Sequence, residues 1–95
     1  MFENPKYITR GIRMEIPSWL VILLWNQVAM MQVSQKDYLQ IFRLTKTERG
    51  QHIIHEQEQP LYKKEFIVPC TDAVDAKVYV IDNDAYSTML LAEEY

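Results

Sequence analysis

The sequence carries a single cysteine, Cys70, so no intramolecular disulfide can form. Small secreted domains usually hold several, and the cytoplasm is the expected compartment. Only two glycines are present, Gly11 and Gly50, too far apart to build a glycine-rich phosphate cradle. Positive charge is not in excess: ten Lys and Arg stand against thirteen Asp and Glu, for a net charge of −3. A dedicated duplex-DNA binder usually shows the opposite balance, because phosphate neutralisation supplies most of its affinity. No apolar run reaches membrane-spanning length. The densest one, Trp19 to Met31, is interrupted by Asn26 and Gln27, whereas a spanning helix needs about 20 apolar residues. An interfacial helix would carry Lys or Arg on a polar face, and none occurs between Met14 and Gln35. Met1 to Lys6 has no apolar stretch behind a basic start, so it is not read as a signal peptide.

What remains is an ordinary globular composition, 48% hydrophobic and 24% charged, with 12% aromatic residues. It predicts one folded domain over residues 1–95. The apolar run follows Ile16-Pro17-Ser18, and proline suits the first position of a helix. A helix is expected from Pro17 to Val33. Its apolar residues cover most of the circumference, and a helix of that kind wants burial on every side. A small sheet covers one face only, so the other face is expected to meet a second copy, a partner or a ligand.

The rest of the chain alternates. Tyr7 to Ile12 reads as a short strand weakened by Gly11. Tyr38 to Thr45 and Gln51 to Gln57 read as a hairpin around Lys46-Thr47-Glu48-Arg49-Gly50, with Gly50 available should the turn need a positive φ. Leu61 to Val68 follows Pro60 and ends at Pro69, and Lys77 to Ile81 ends at the turn signal Asp82-Asn83-Asp84. Ala85 to Tyr95 fits a helix or the second arm of a hairpin, with the hairpin favoured. The expected fold is α+β: a small, mainly antiparallel sheet of four to six strands packed on one long apolar helix, residues 17–33. The core is expected to hold Ile8, Leu20, Leu23, Leu24, Ile41, Ile54, Phe66, Val78 and Val80.

No motif carries recognisable chemistry. His52 and His55 are three apart on a strand and so point to opposite faces, which argues against a joint metal site and for surface or edge histidines. Cys70 has no local signature of a nucleophile. Asp82-Asn83-Asp84 begins like a calcium loop but lacks the downstream glycine and the position-twelve glutamate, so solvated turn carboxylates are expected. No catalytic residue, cofactor site or metal site is expected, and the chain is not read as an enzyme. Trp19 and Trp25 cannot both face the sheet squarely, so Trp19, Ile22, Trp25 and Met30 form the candidate interface. For nucleic acid the candidate contacts are Arg10, Arg13, Lys63 and Lys64. Tyr7, Tyr38 and Tyr62 would stack on unpaired bases if they lay on an exposed sheet face.

Five stretches taken together resemble a known family. They are Tyr7-Ile8-Thr9-Arg10-Gly11, Glu15-Ile16-Pro17, Asp37-Tyr38-Leu39-Gln40, Tyr62-Lys63-Lys64-Glu65 and Ser87-Thr88-Met89-Leu90-Leu91-Ala92-Glu93-Glu94-Tyr95. The family is one of short proteins of unknown function from low-GC Gram-positive bacteria, and the resemblance spans nearly the whole chain. It implies a stand-alone small cytoplasmic protein and brings no activity or site residues with it. The function expected from the residues is a non-enzymatic protein–protein interaction module, homodimeric, with a nucleic-acid-binding accessory protein as the alternative.

Overall fold

The computed structural model describes all 95 residues. Six strands form one sheet: β1 (Lys6–Ile8), β2 (Leu39–Thr47), β3 (Gly50–Gln57), β4 (Tyr62–Val68), β5 (Ala76–Asp82) and β6 (Ser87–Leu91). Their order across the sheet is β1-β6-β5-β2-β3-β4. Every pairing is antiparallel except β1 with β6, which is parallel. Two short helices, α1 (Arg10–Glu15) and α2 (Ser18–Ala29), cover one face, and a 3₁₀ turn (Ala92–Glu94) ends the chain. No helix is long and apolar enough to cross a membrane.

This corrects the expected architecture. The sheet is mixed, and no single long helix supports it. The helix expected over 17–33 stops at Ala29 because the next segment is drawn down onto the sheet. Met31 is buried. The Gln57 amide donates to the Gln35 carbonyl at 3.0 Å and accepts from the Asp37 N–H at 2.8 Å. Those bonds hold the backbone away from a helical path.

The strand expected over Tyr7 to Ile12 ends at Ile8, and α1 takes its place. Thr9 caps that helix through Oγ1, which accepts from the Ile12 N–H at 3.3 Å. The Glu94 carboxylate completes the cap. It accepts from Thr9 Oγ1 at 2.6 Å and from the Gly11 N–H at 3.1 Å. Negative charge at a helix N-terminus is favourable, and these bonds hold the Glu94 carboxyl below its usual range. A Cβ on Gly11 would lie 2.7 Å from that carboxylate, so glycine leaves the room the cap needs.

The β2–β3 hairpin forms as expected. Gly50 adopts φ +128°, and a Cβ there would collide with the Val68 carbonyl oxygen. Residues 85–95 take the hairpin reading as far as Leu91 and then turn into the 3₁₀ segment.

The core lies between the helices and the sheet. Leu20, Val21, Leu24 and Val28 of α2 meet Phe42, Leu44, Ile53, Val78, Val80, Met89 and Leu91, with Phe2, Ile12 and Ile16 closing the edges. Of the expected core, Leu20, Leu24, Val78 and Val80 are buried, while Leu23 and Phe66 pack against its margin. Ile41 and Ile54 instead sit half-buried on the opposite face, and Ile8 is 41% exposed at the sheet edge. In β2 and β3 the inward parity is thus the one opposite to that expected. The covered side also carries Gln40, Gln51, His55 and Gln57, all buried.

Apart from His55 Nδ1, which has no partner, these polar groups tolerate burial because they satisfy one another and the loops above them. Gln51 clips the 69–75 loop by exchanging two hydrogen bonds with Val74, at 2.8 and 2.9 Å. Gln57 clips the 31–37 segment. His55 Nε2 meets Gln40 Oε1 at 2.7 Å, and its ring stacks on Phe42 with centroids 4.3 Å apart. His55 is therefore a core residue, contrary to its expected place at the surface.

Candidate functional site

The sheet has two faces, and only one is covered by the helices. Residues paired across strands share a face, so the register maps the other one. One row reads Tyr7, Thr88, Ile81 and Leu39; the next reads Leu90, Tyr79, Ile41, Glu56 and Lys63. A third reads Lys77, Arg43, Ile54 and Glu65. The half built on β1, β6, β5 and β2 is thus aliphatic and aromatic, and the half toward β4 is charged.

Four of the six tyrosines gather on the apolar half. Tyr7 and Tyr86 meet edge to face at 5.5 Å, as do Tyr79 and Tyr95. Tyr7, Tyr86 and Tyr95 are exposed, and Leu90 is buried on this same face, outside the main core. The Lys77 ammonium stands 5.5 Å from the centre of the Tyr79 ring. On the charged half, Arg43 pairs with Glu56 at 3.4 Å and His52 with Glu65 at 2.6 Å. Such exposed pairs add little stability but fix side-chain positions.

The helix surface offers less than the sequence suggested. Trp19 packs on the core and donates from Nε1 to Asp72 at 3.0 Å, and Trp25 packs on the other flank with the Lys6 ammonium 5.9 Å from its ring. The apolar circumference is absorbed by loop 69–75 on one side and by β1 and α1 on the other. The exposed stripe left on α2 is Ser18, Ile22, Asn26 and Ala29, continued by Met30. Of the four candidate interface residues, only Ile22 and Met30 are exposed, each at 61%.

Ile22 borders a groove of about 170 Å³ lined by Ile8, Arg13, Ile16, Ser18 and Val21. Pockets for drug-sized ligands run about 300–1,000 Å³, so this groove takes one side chain rather than a cofactor.

The four candidate nucleic-acid contacts do not form one surface. Arg10 and Arg13 lie on α1, beside the β1 edge, while Lys63 and Lys64 lie on β4, the opposite edge strand. Lys63 and Lys64 also point to opposite faces. Of the three tyrosines proposed for stacking, Tyr7 is on the open face. Tyr62 is on the covered side, edge-on to His55 at 5.2 Å. Tyr38 precedes β2 at the sheet's end.

The two histidines point to opposite faces, as strand alternation requires. Asp82, expected as a solvated turn carboxylate, is buried. Burial opposes its charge, but hydrogen bonds from the Phe2 N–H at 2.8 Å, the Asp84 N–H at 2.8 Å and the Asn4 amide at 3.0 Å overcome that cost. Its pKa is lowered as a result, and the carboxylate ties the N-terminal segment to the β5–β6 turn.

Sequence reasoning missed Tyr79, Tyr86, Tyr95 and Leu90 as one surface. A signal was present: Leu39 to Leu44 and Val78 to Ile81 place apolar residues on both parities, the mark of a sheet with two apolar faces.

Fold and site together define a two-layer α+β protein with one face of a mixed sheet left open. Residues 5–94 match the family described as a staphylococcal protein of unknown function, DUF960, and the chain belongs to it. A crystal structure of a protein of unknown function from Enterococcus faecalis shares the fold, with a TM-score of 0.83 at 19% identity. The match covers 98% of this chain and 92% of that one. No curated protein shows a significant match. The five stretches that carried the resemblance include two that meet in space: Tyr7 to Gly11 packs beside Ser87 to Glu94 through the β1–β6 pairing and the Glu94 cap.

Proposed function

We propose that this protein is a non-enzymatic interaction module that pairs with a second copy through the open face of its sheet. The observation that carries this reading is the gathering of Tyr7, Tyr79, Tyr86 and Tyr95 around Leu39, Ile41, Ile81 and Leu90 on a face that neither helix covers and only the C-terminal residues overlap. Tyrosine is enriched among residues that anchor interfaces, because it buries a large rigid surface and keeps a polar tip. The face is of a size for a small interface. Six strands about 4.8 Å apart, from three to nine residues long, give a face of roughly 24 by 21 Å, or about 500 Å² in projection. That is below the roughly 800 Å² per partner of a standard interface and suits a pairing of modest affinity. Two sheets meeting this way pack about 10 Å apart and interdigitate their side chains.

Light scattering on size-separated protein tests it. The dimer mass should fall to the 11.3 kDa monomer in a Tyr7→Glu, Tyr86→Glu double variant, whose two sites are exposed. Ile22→Asp, on the helix side, should leave the dimer intact. The reverse pattern would move the interface to α2 and sink the sheet-face reading.

One observation favours a second reading. Tyrosines on an open sheet face, with Lys77 beside them, are an arrangement on which unpaired bases stack. The charge is less suitable, since Arg43 is engaged by Glu56 and the whole chain is at −3. A labelled single-stranded oligonucleotide at low salt decides. Saturable binding that weakens steeply with salt and is lost in Tyr79→Ala would favour this reading over pairing.

A further inference from the structure

We propose that the free edge of β1, with the groove beside it, receives an extended acidic peptide segment of another protein. The peptide adds as a seventh strand, seats one aliphatic side chain in the groove and sets a carboxylate against Arg13. This surface belongs to the helix side of the sheet, so the inference stands independently of pairing through the open face.

Three observations converge on it. First, β1 is an edge strand whose outer side is unpaired. In a parallel pair alternate residues bond to the neighbouring strand. The Pro5 carbonyl accepts from the Ser87 N–H, and the Thr9 N–H donates to the Met89 carbonyl. Pro5 and Thr9 thus face β6, and the backbone groups of Lys6 and Ile8 face outward. Such an edge is the template used in strand addition, where main-chain bonds give affinity and pockets for alternate side chains give selectivity.

Second, the pocket is in place. Ile8 pairs with Met89 and so points to the helix side, where it lines the groove with Ile16, Val21 and Ile22. At about 170 Å³ the groove matches one side chain, since a cavity of about 150 Å³ holds one benzene.

Third, the side chain that reaches the groove is basic, and the one carboxylate at the start of α1, Glu94, is taken up by Thr9, Gly11 and Leu91. Arg13 lines the groove, and Arg10 sits three residues earlier on the same helix. Neither guanidinium has an ion-pair or hydrogen-bond partner within the chain. Lys6, on the edge strand, spends its ammonium on the Phe2 and Asn4 carbonyls rather than on an acid. Glu15 is the one acid of α1, two positions from Arg13 and therefore turned away from it. A carboxylate arriving beside the groove meets an unpaired arginine able to bind it in a bidentate fork.

The probe is the peptide acetyl-Thr-Asp-Thr-Leu-Thr-Asp-Thr-amide, which in strand form puts Asp, Leu and Asp on one side. Titrated into ¹⁵N-labelled full-length protein, it should shift the amides of Lys6 to Ile8, Arg13 and Ile22 in a saturable way. A version with Lys at both Asp positions should bind about tenfold more weakly or worse. Ile22→Asp should abolish binding of the acidic peptide. Arg13→Glu should invert the preference, so that the Lys peptide becomes the tighter ligand. Both substitutions are at surface positions, and the amide spectrum itself reports whether the fold persists. Absence of shifts at millimolar peptide, equal binding of the two peptides, or shifts centred on Arg43 and Lys77 would each overturn the proposal.

Discussion

His55 shows how one side chain ties buried chemistry to a measurable property. The Gln40 amide donates to the Asp37 carbonyl and to Gln57 Oε1, so its own oxygen must face the imidazole. His55 Nε2 therefore carries the proton, and Nδ1 is left without a partner in the core. Burial, with the Lys64 ammonium nearby, lowers the pKa from 6.5 to about 4. The unfolded chain then binds a proton at pH values where the folded one does not. Stability is full above about pH 6.5, declines as pH falls, and levels off below about 4. Each pH step of one below 6.5 costs about 1.4 kcal/mol, so by pH 5 the loss should reach about 2 kcal/mol. Urea melts between pH 7.5 and 5 measure it, and His55→Phe should flatten the slope. Asp82 and Glu94, with lowered pKa values, lose their contributions only at lower pH, so this window isolates the histidine. A slope unchanged in His55→Phe would refute the assignment. None of this was legible in the sequence. The alternation of Gln51 to Gln57 offered two faces, and ordinary hydrophobicity chose Ile54 over a line of glutamines and a histidine. The amides won because the loops over β3 present backbone groups that only they can satisfy.

Among the elements, legibility followed range. The β2–β3 hairpin, β4 and β5 were readable from alternation and from Gly50, Pro60 and Asp82 to Asp84, because each signal lies within or next to its strand. The entry into α1 was not readable. Its cap is completed by Glu94, 85 residues away from Thr9, and a local reading sees only a weakened strand. Likewise α2 ends short where Met31 turns into the core, and Gln57, from another strand, holds residues 35 and 37 beyond it. The cap makes a direct prediction. Thr9→Ala removes the acceptor for Ile12 and the donor to Glu94, and it should destabilise the protein by about 1 kcal/mol. Urea denaturation reads this, and Glu94→Gln should lower stability in the same direction. No change in either variant would mean that α1 is held by packing of Ile12 alone.

On the scale of the whole molecule, the sheet decides what the surface offers. One face is filled by two helices and two clipped loops. The other keeps a tyrosine cluster against aliphatic neighbours, with a charged flank beside it. From the sequence, the surplus apolar surface is expected on the helix. The structure spends the helix's apolar excess on Trp19, Leu23 and Trp25 at the core margin, and leaves the sheet face free. Pairing through that face would join two cores into one four-layer body. It would also leave both β1 edges and their grooves facing outward, available for a partner's strand.

The most direct test is an isotope-filtered NOE measurement on a mixed sample, one copy labelled with ¹³C and ¹⁵N and the other unlabelled. The account predicts contacts between the rings of Tyr7, Tyr79 and Tyr86 in one copy and the methyl groups of Leu39, Ile41 and Ile81 in the other. Intermolecular contacts confined to Ile22 and Met30, or none at millimolar protein, would contradict it.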